Sequence, residues 1–177
     1  PDLSCGYLNL VLPLGISFYT FQQIAYLVDS YKGTQKEKSL FSYGLFVSFF
    51  PQLIAGPIVH HSEMMGQFRK PNLTKPNYDN LSRGLFIFMM GLAKKIVIAD
   101  SFAIIANKGY ANINSLGSVE AWASSLAYSL QLYFDFSGYS AMAIGLGLLF
   151  NIRLPQNFNS PYKSLSIKEF WRNWHMT

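Results

Sequence analysis

The chain has 177 residues, of which 50% are hydrophobic and 16% aromatic, whereas only 13% are charged. An ordinary soluble domain has about 25% charged residues, so this composition argues against a wholly water-soluble protein. The formal net charge is +5, but the basic residues are dispersed between apolar segments, and we expect no nucleic-acid partner. The single cysteine, Cys5, excludes a disulfide and a cysteine-based metal cluster within these residues.

Two uncharged segments, about 7–28 and 40–59, come first along the chain. Each has roughly the 20 residues that a helix needs to cross about 30 Å of hydrocarbon. Proline interrupts both, at Pro13 in the first and at Pro51 and Pro57 in the second. Proline removes a backbone donor and clashes with the preceding turn, so we expect kinked or broken helices around an internal cavity.

A third predicted helix, 84–106, carries a few charges, and a fourth, 121–152, carries only Asp135. A charge at that depth costs about 2.5–3.5 kcal/mol on insertion scales, so Asp135 should be paired or functional. Helical spacing places four polar side chains on one face of this helix: Tyr128, Gln131, Asp135 and Tyr139. A strip of small residues, Gly138, Ala141 and Gly145, predicts close approach of another helix.

A fifth helix is predicted to start near residue 166. Ser166 and Glu169 have the spacing of a capping box, which would put His175 near the beginning of a helix running through 166–177. The predicted fold is all-α: a polytopic membrane bundle with broken helices around a central funnel. Residues 1–177 are expected to form a single internal piece of a larger membrane domain.

The connections between the apolar segments differ in their number of lysines and arginines. Three lie between 29 and 39, four between 60 and 83, one between 108 and 120 and four from 153 onward. The first connection departs from the pattern, because its three lysines are offset only in part by Asp29 and Glu37. The positive-inside rule predicts that the two basic connections are cytoplasmic and that 108–120 is external. The glycosylation sequon at Asn72 then falls on a cytoplasmic loop, where we interpret it as a chance match.

Five segments of the chain form a recognisable set: Pro13 to Gln22, Phe50 to Ile58, Gly91 to Lys95, Tyr133 to Ser140 and Leu154 to His175. Together they resemble the membrane-bound O-acyltransferase family, in its bacterial branch that includes alginate O-acetylation and teichoic-acid D-alanylation proteins. The resemblance implies a many-helix membrane fold in which an acyl donor and a hydroxyl acceptor meet at buried histidines. His175 matches one of two functional histidines, and the second is expected beyond Thr177. Ala141 stands where alginate-type proteins usually carry an acidic residue.

His175 is the predicted catalytic residue. A neutral imidazole with a pKa near about 6.5 could accept the proton of an acceptor hydroxyl as it attacks a thioester. The alternative is a structural role, such as lining the tunnel. Supporting or orienting roles are predicted for six residues: Asp135, Trp171, Arg172, Trp174, Tyr139 and Gln131.

Three basic residues are alternative partners for Asp135, namely Lys94, Lys95 and Arg172. We expect Asp135 to orient a basic partner, with direct proton transfer or a structural ion pair as alternatives. Lys94 and Lys95 could also contact phosphates of the acyl donor, extend to lipid headgroups, or pair with Asp100.

We predict no metal site. His60 and His61 are adjacent, so on a helix they point about 100° apart and cannot act as a metal pair. No tightly bound cofactor is expected, and an acyl-CoA or acyl-carrier thioester would be a co-substrate.

The first functional hypothesis is a membrane O-acyltransferase in a bacterial inner membrane. It would move an acyl group, most simply acetyl, from a cytoplasmic thioester to hydroxyls of an exported polysaccharide such as alginate, with an extracytoplasmic acetyltransferase as partner. The second is a transporter or flippase of a polysaccharide export system, with Asp135 at a midplane site. The third is a non-catalytic scaffold.

Overall fold

The computed structural model describes residues 15–33, 39–53, 56–59, 61–71, 73 and 75–177. Of these residues 75% are helical and none belongs to a β-strand, in agreement with the all-α prediction. In chain order the α-helices are α1 (Ile16–Tyr31), α2 (Leu40–Ser48), α3 (His61–Phe68), α4 (Tyr78–Ala93), α5 (Asp100–Ala111), α6 (Ser118–Leu149) and α7 (Ile167–Asn173). A π-helical turn, Lys94–Ala99, joins α4 to α5.

The main feature is a long helical hairpin, in which α4, the π turn and α5 run antiparallel to α6. Asn77 begins α4 by accepting hydrogen bonds from two backbone amides, and Glu120 accepts one from the Gly117 amide at the start of α6. The 32 residues of α6 give it a length of about 48 Å. Its midpoint therefore lies near Asp135.

Glycines bring the two arms of the hairpin into backbone contact. A Cβ added at Gly145 would lie 2.6 Å from the Gly84 carbonyl oxygen, and one added at Gly91 would lie 2.7 Å from the Gly138 carbonyl oxygen. Such distances leave room for glycine alone. The predicted small-residue strip is thus confirmed at Gly138 and Gly145, whereas Ala141 lines a cavity instead.

The predicted helix 40–59 is wrong as a continuous element, although its predicted interruption is confirmed. Helix α2 has 9 residues and ends at Ser48, and a 3-10 turn, Phe50–Gln52, follows. Pro51 cannot continue the α-helical hydrogen bonds. The Gln52 side chain replaces one of them by donating to the Phe46 carbonyl at 2.7 Å. Helix α1 begins after Gly15, and Pro13 lies outside the described residues.

Two other helices differ from prediction at their ends. The run predicted for 84–106 begins at Tyr78 and continues to Ala111, because the π turn joins α4 to α5 without a break. Helix α6 stops at Leu149 rather than at residue 152. Asn151 follows in the left-handed conformation, with φ at 59°, and its side-chain amide donates to the carbonyls of Leu73 and Lys75.

The predicted helix over 166–177 is wrong beyond Asn173. Ser166 caps α7 as predicted, by accepting from the Glu169 amide, but the Glu169 carboxylate accepts from the Leu165 amide instead of completing the box at Ser166. After Asn173 the chain becomes extended at Trp174. Backbone pairing with residues 157–159 replaces further helical turns there, so His175 lies past the helix.

One helix within the described ranges, α6, is both long enough and apolar enough to cross a membrane. Of the four predicted spans, α6 alone meets both criteria within the described residues; α2 is too short, and residues 7–14 of the first predicted span lie outside the described residues. Large apolar side chains nevertheless stand exposed along the outer faces of the hairpin. Among them are Leu85, Phe86, Ile104, Trp122 and Leu126.

Candidate active site

An ion pair joins the two arms of the hairpin near its middle. Lys95 Nζ lies 2.6 Å from Asp135 Oδ1 and 3.1 Å from Asp100 Oδ1. The ammonium group also lies 5.7 Å from the centre of the Tyr139 ring, within cation–π range. Of the three partners predicted for Asp135, the structure selects Lys95.

The π turn shapes the position of this lysine. The Asp100 amide donates to the Lys95 carbonyl, five residues earlier, so the turn is wider than an α-helical one. Such turns are rare in proteins overall, and those that occur are frequently found at functional sites. The predicted polar face of α6 is turned toward α5 and the π turn, because the Tyr128 ring packs on Tyr110 at 5.5 Å and Asp135 meets Lys95.

His175 lies at the side of α6, on a different face from the ion pair. The centre of its ring lies 5.1 Å from the centre of the Phe136 ring. Its Nδ1–H donates to the Thr177 carbonyl at 3.0 Å. In a neutral imidazole this tautomer leaves the lone pair on Nε2. His175 also borders an apolar cavity of about 280 Å³, together with Ser17, Phe21 and Ile58.

The backbone of His175 is left-handed, with φ at 52°. A non-glycine residue in this conformation costs about 1–3 kcal/mol and is retained where its surroundings fix it. Here the surroundings are hydrogen bonds to the segment before α7. The Asn159 amide donates to the Asn173 carbonyl, and the Met176 amide to the Asn157 carbonyl.

Asn157 fixes the end of the same segment. Its Oδ1 accepts from the Thr177 hydroxyl at 2.7 Å, and its side chain is completely buried. The Thr177 hydroxyl in turn accepts from the Ile58 amide at 3.2 Å. The histidine is thus held by residues distant in the chain.

The aromatic residues around His175 divide into an inner and an outer set. Trp174 is half-buried and stacks on Phe170 at 5.5 Å, with Phe158 edge-on at 5.2 Å. Trp171 is exposed, and so is Arg172. Trp174 is therefore packed into the segment that carries His175, whereas the exposed Trp171 meets the cluster at Phe170, with ring centres 5.2 Å apart.

Tyr162 connects this aromatic cluster to α6. Its hydroxyl donates to the Ser129 carbonyl at 2.8 Å, and its ring lies 5.2 Å from that of Tyr133. Burial raises the pKa of the Tyr162 phenol above its ordinary value, so the group stays neutral and acts as a hydrogen-bond donor.

A second cavity, of about 420 Å³, lies between α4, α6 and the segment 154–160. We call it the strap cavity. Lys94 lines it, so the two adjacent lysines face different surroundings. Its other polar lining residues include Ser137, Ser140, Gln156 and Asn157. Ser137, Ser140 and Asn157 were not among the site residues predicted from the sequence, although the spacing of three between the serines puts both on one helical face.

His61 is enclosed by aromatic rings. The ring centres of Tyr26 and Phe46 lie 5.1 Å and 5.0 Å from the centre of its ring. His61 is therefore packed within the core. His60, the other histidine of the pair, lies outside the described residues.

Comparison with known proteins gives consistent matches. The family model described as "MBOAT, membrane-bound O-acyltransferase family" matches residues 39–177. A peptidoglycan O-acetyltransferase from Helicobacter pylori is 56% identical over 195 residues, covering 96% of this chain and 37% of that protein. A "Probable alginate O-acetylase AlgI" from Pseudomonas aeruginosa is 46% identical, covering 96% and 32%.

A more distant relative is a teichoic acid D-alanyltransferase from Bacillus subtilis. It is 32% identical over 174 residues, covering 96% of this chain and 43% of that protein. The chain thus spans between about a third and two fifths of the length of these curated relatives.

Proposed function

We propose, from the premise that this chain belongs to the membrane-bound O-acyltransferase family, that the complete protein is a bacterial O-acyltransferase. It transfers an acetyl group from a cytoplasmic thioester to hydroxyls of a cell-surface polysaccharide. The observation that carries this proposal is the position of His175, whose imidazole borders an apolar cavity of about 280 Å³. That volume accommodates a small acyl group and the atoms around its carbonyl.

The histidine would act as a general base. With the proton on Nδ1, Nε2 takes the proton of an acceptor hydroxyl while the hydroxyl oxygen attacks the thioester carbonyl. The new C–O bond forms, the C–S bond breaks, and the imidazolium returns the proton to the leaving thiolate. A positioned base of this kind contributes about 10² to 10⁴ in rate.

Two charged groups have a positioning role in this proposal. The ion pair of Asp135 with Lys95 fixes α6 against the π turn, and α6 carries Phe136, on which the His175 ring packs. Trp174 holds the opposite side of the same segment. These residues act through His175.

The hairpin geometry supports a donor on the cytoplasmic side. Gln67 and Arg153 form two hydrogen bonds between the connections that precede α4 and follow α6. The two basic connections therefore meet at one end of the hairpin, as their common cytoplasmic location requires. We propose the bacterial inner membrane as the location, with an extracytoplasmic acetyltransferase as the partner protein.

The acceptor is proposed from the names of the relatives, which refer to peptidoglycan, alginate and teichoic acid. A hydroxyl-bearing wall or capsule polymer is common to these. The donor is proposed to be acetyl-CoA or an acetylated carrier protein, each of which carries the thioester on the same kind of arm.

The test uses the full-length protein in cells that lack their own copy. His175→Ala should lower the O-acetyl content of the polymer by about 10²-fold or more, given the usual contribution of a general base. Met176→Ala is the matched control, because Met176 is exposed and the variant keeps the backbone amide that donates to the Asn157 carbonyl. Membrane levels of both variants are matched by immunoblot. Undiminished acetylation by His175→Ala would remove the histidine from the chemistry.

A transporter is a second candidate, favoured by the position of an ion pair midway along a helical hairpin. It predicts that Asp135→Asn abolishes export of the polymer while His175→Ala leaves both export and acetylation intact. Measuring exported polymer and its acetyl content in the same cells separates the two candidates.

A further inference from the structure

The strap cavity has a wall of buried hydrogen-bonding groups. Ser137, Ser140 and Asn157 are 5%, 2% and 0% exposed. Their Ser137 Oγ, Ser140 Oγ and Asn157 Nδ2 atoms have no hydrogen-bond partner among the described residues. An unpaired buried polar group costs about 1–3 kcal/mol. Three of them around one cavity call for a ligand or water that satisfies them.

The serines elsewhere on α6 make this unusual. Ser124, Ser125 and Ser129 each donate to the backbone carbonyl four residues earlier, at 2.8 to 2.9 Å. This local bond is the common way to satisfy a hydroxyl within a helix. Ser137 and Ser140 lie on the same helix and, like Ser124, are buried, yet neither hydroxyl forms a bond of this kind.

The chemistry of the wall selects the ligand. Lys94 contributes a cation, and within the described part of the chain it has no acidic partner. The two hydroxyls and the Asn157 amide nitrogen are hydrogen-bond donors. A cation with three donors fits an anionic group that has several oxygen acceptors, and hydrogen bonds to such a group are stronger than neutral ones.

We propose that the strap cavity binds a phosphate group, held by Lys94, Ser137, Ser140 and Asn157. The identity of the ligand rests on the proposed function: the phosphate belongs to the pantetheine arm that carries the thioester. The cavity lies between the midpoint of α6 and the end at which the two basic connections meet. This is the end proposed to face the donor.

Asn157 gives the site a connection to the histidine. Its Nδ2 belongs to the cavity wall, while its Oδ1 accepts from the Thr177 hydroxyl at 2.7 Å. Two residues separate Thr177 from His175. One amide therefore contacts both the proposed phosphate site and the segment that carries the base.

The experiment measures binding to the full-length protein in nanodiscs. Phosphopantetheine is compared with pantetheine, which lacks the phosphate, in discs of zwitterionic lipid. The wild-type protein should prefer phosphopantetheine by at least tenfold. Lys94→Gln and the double variant Ser137→Ala/Ser140→Ala should lose that preference. Ser125→Ala is the matched control, since its hydroxyl is satisfied locally, and it should retain the preference.

A second arm distinguishes the source of the phosphate. Anionic lipid in the discs could abolish the preference of the wild-type protein for phosphopantetheine. If it does, and if binding of that lipid depends on Lys94, the site holds a lipid headgroup and the pantetheine assignment is overturned. If no phosphate preference exists in either lipid, the groups are satisfied by water and the proposal fails.

Failure here is separable from failure of the proposed function. Acetyl transfer by the same wild-type preparation, without a phosphate preference, would leave the acyltransferase proposal standing and remove the site. A phosphate preference without acetyl transfer would do the reverse. Thermal stability of each variant, measured alongside, identifies any loss that reflects unfolding.

Discussion

The two halves of α6 use similar residues for different purposes. In the half that packs on α5, serine hydroxyls donate hydrogen bonds to backbone carbonyls of the same helix, as Ser129 does to the Ser125 carbonyl. In the half that packs on α4 and the π turn, an ion pair crosses between the helices and two buried serines lack any such local bond. In the first half, the backbone of the helix itself satisfies the serine hydroxyls. The second half holds polar groups that the helix does not satisfy.

The largest expected effect tests the packing that the second half depends on. Gly145→Leu places a side chain where a Cβ alone would lie 2.6 Å from the Gly84 carbonyl oxygen and from the Phe88 amide nitrogen. Overpacking usually costs about 1–3 kcal/mol, and more where backbone must move. We expect little or no folded full-length protein in detergent extracts, by size-exclusion chromatography.

The matched control for this substitution is Gly44→Leu on α2. A Cβ added at Gly44 meets no atom within 4 Å, so this variant should elute as the wild-type protein does. Equal yields from the two variants would mean that the arms of the hairpin are not in backbone contact.

A smaller effect is expected from the ion pair. Asp135→Asn leaves Lys95 with Asp100 alone, and the side chains involved are partly exposed. The loss should lie between the values for exposed and buried pairs, about 1–3 kcal/mol. It is measured as a fall in the thermal midpoint of the purified protein.

The double variant Asp135→Asn/Lys95→Gln tests the same pair from the other side. The double variant leaves only Asp100 without its lysine, and that carboxylate is exposed, so part of the lost stability should return. Additive losses in the double variant would show that the two residues act independently.

The smallest effect compares the serines directly. Ser140→Ala removes a buried hydroxyl that has no partner in the described structure, and the protein without ligand should become equally or more stable, by up to about 1 kcal/mol. Ser129→Ala removes a satisfied hydroxyl from an exposed position and should change stability by less than about 0.5 kcal/mol. A clear loss of stability in Ser140→Ala would show that its hydroxyl is already bonded.

Local sequence patterns predicted the features that depend on one helix. The charge-poor run predicted α6, the glycines at 138 and 145 predicted a close helix contact, and Ser166 predicted the start of α7. Proline predicted the break after α2. These follow from spacing and backbone chemistry, which neighbouring residues decide.

Features set by distant parts of the chain were not predictable in the same way. The choice of Lys95 over Lys94 for Asp135 depends on a π turn that no periodicity marks. The end of α7 depends on backbone pairing with Asn157 and Asn159, which only the folded chain brings near. The strap cavity has the same origin, since its residues come from α4, the π turn, α6 and the segment 154–160.

The two glycine contacts of the hairpin, at Gly84 with Gly145 and at Gly91 with Gly138, are separated by seven residues on each helix, about 10.5 Å along the axis. With one such contact, each helix could rotate relative to the other about that point. Two contacts remove both rotation and sliding. The backbone thereby fixes the position of Lys95 relative to Asp135. The two residues lie opposite each other whichever rotamers their side chains adopt.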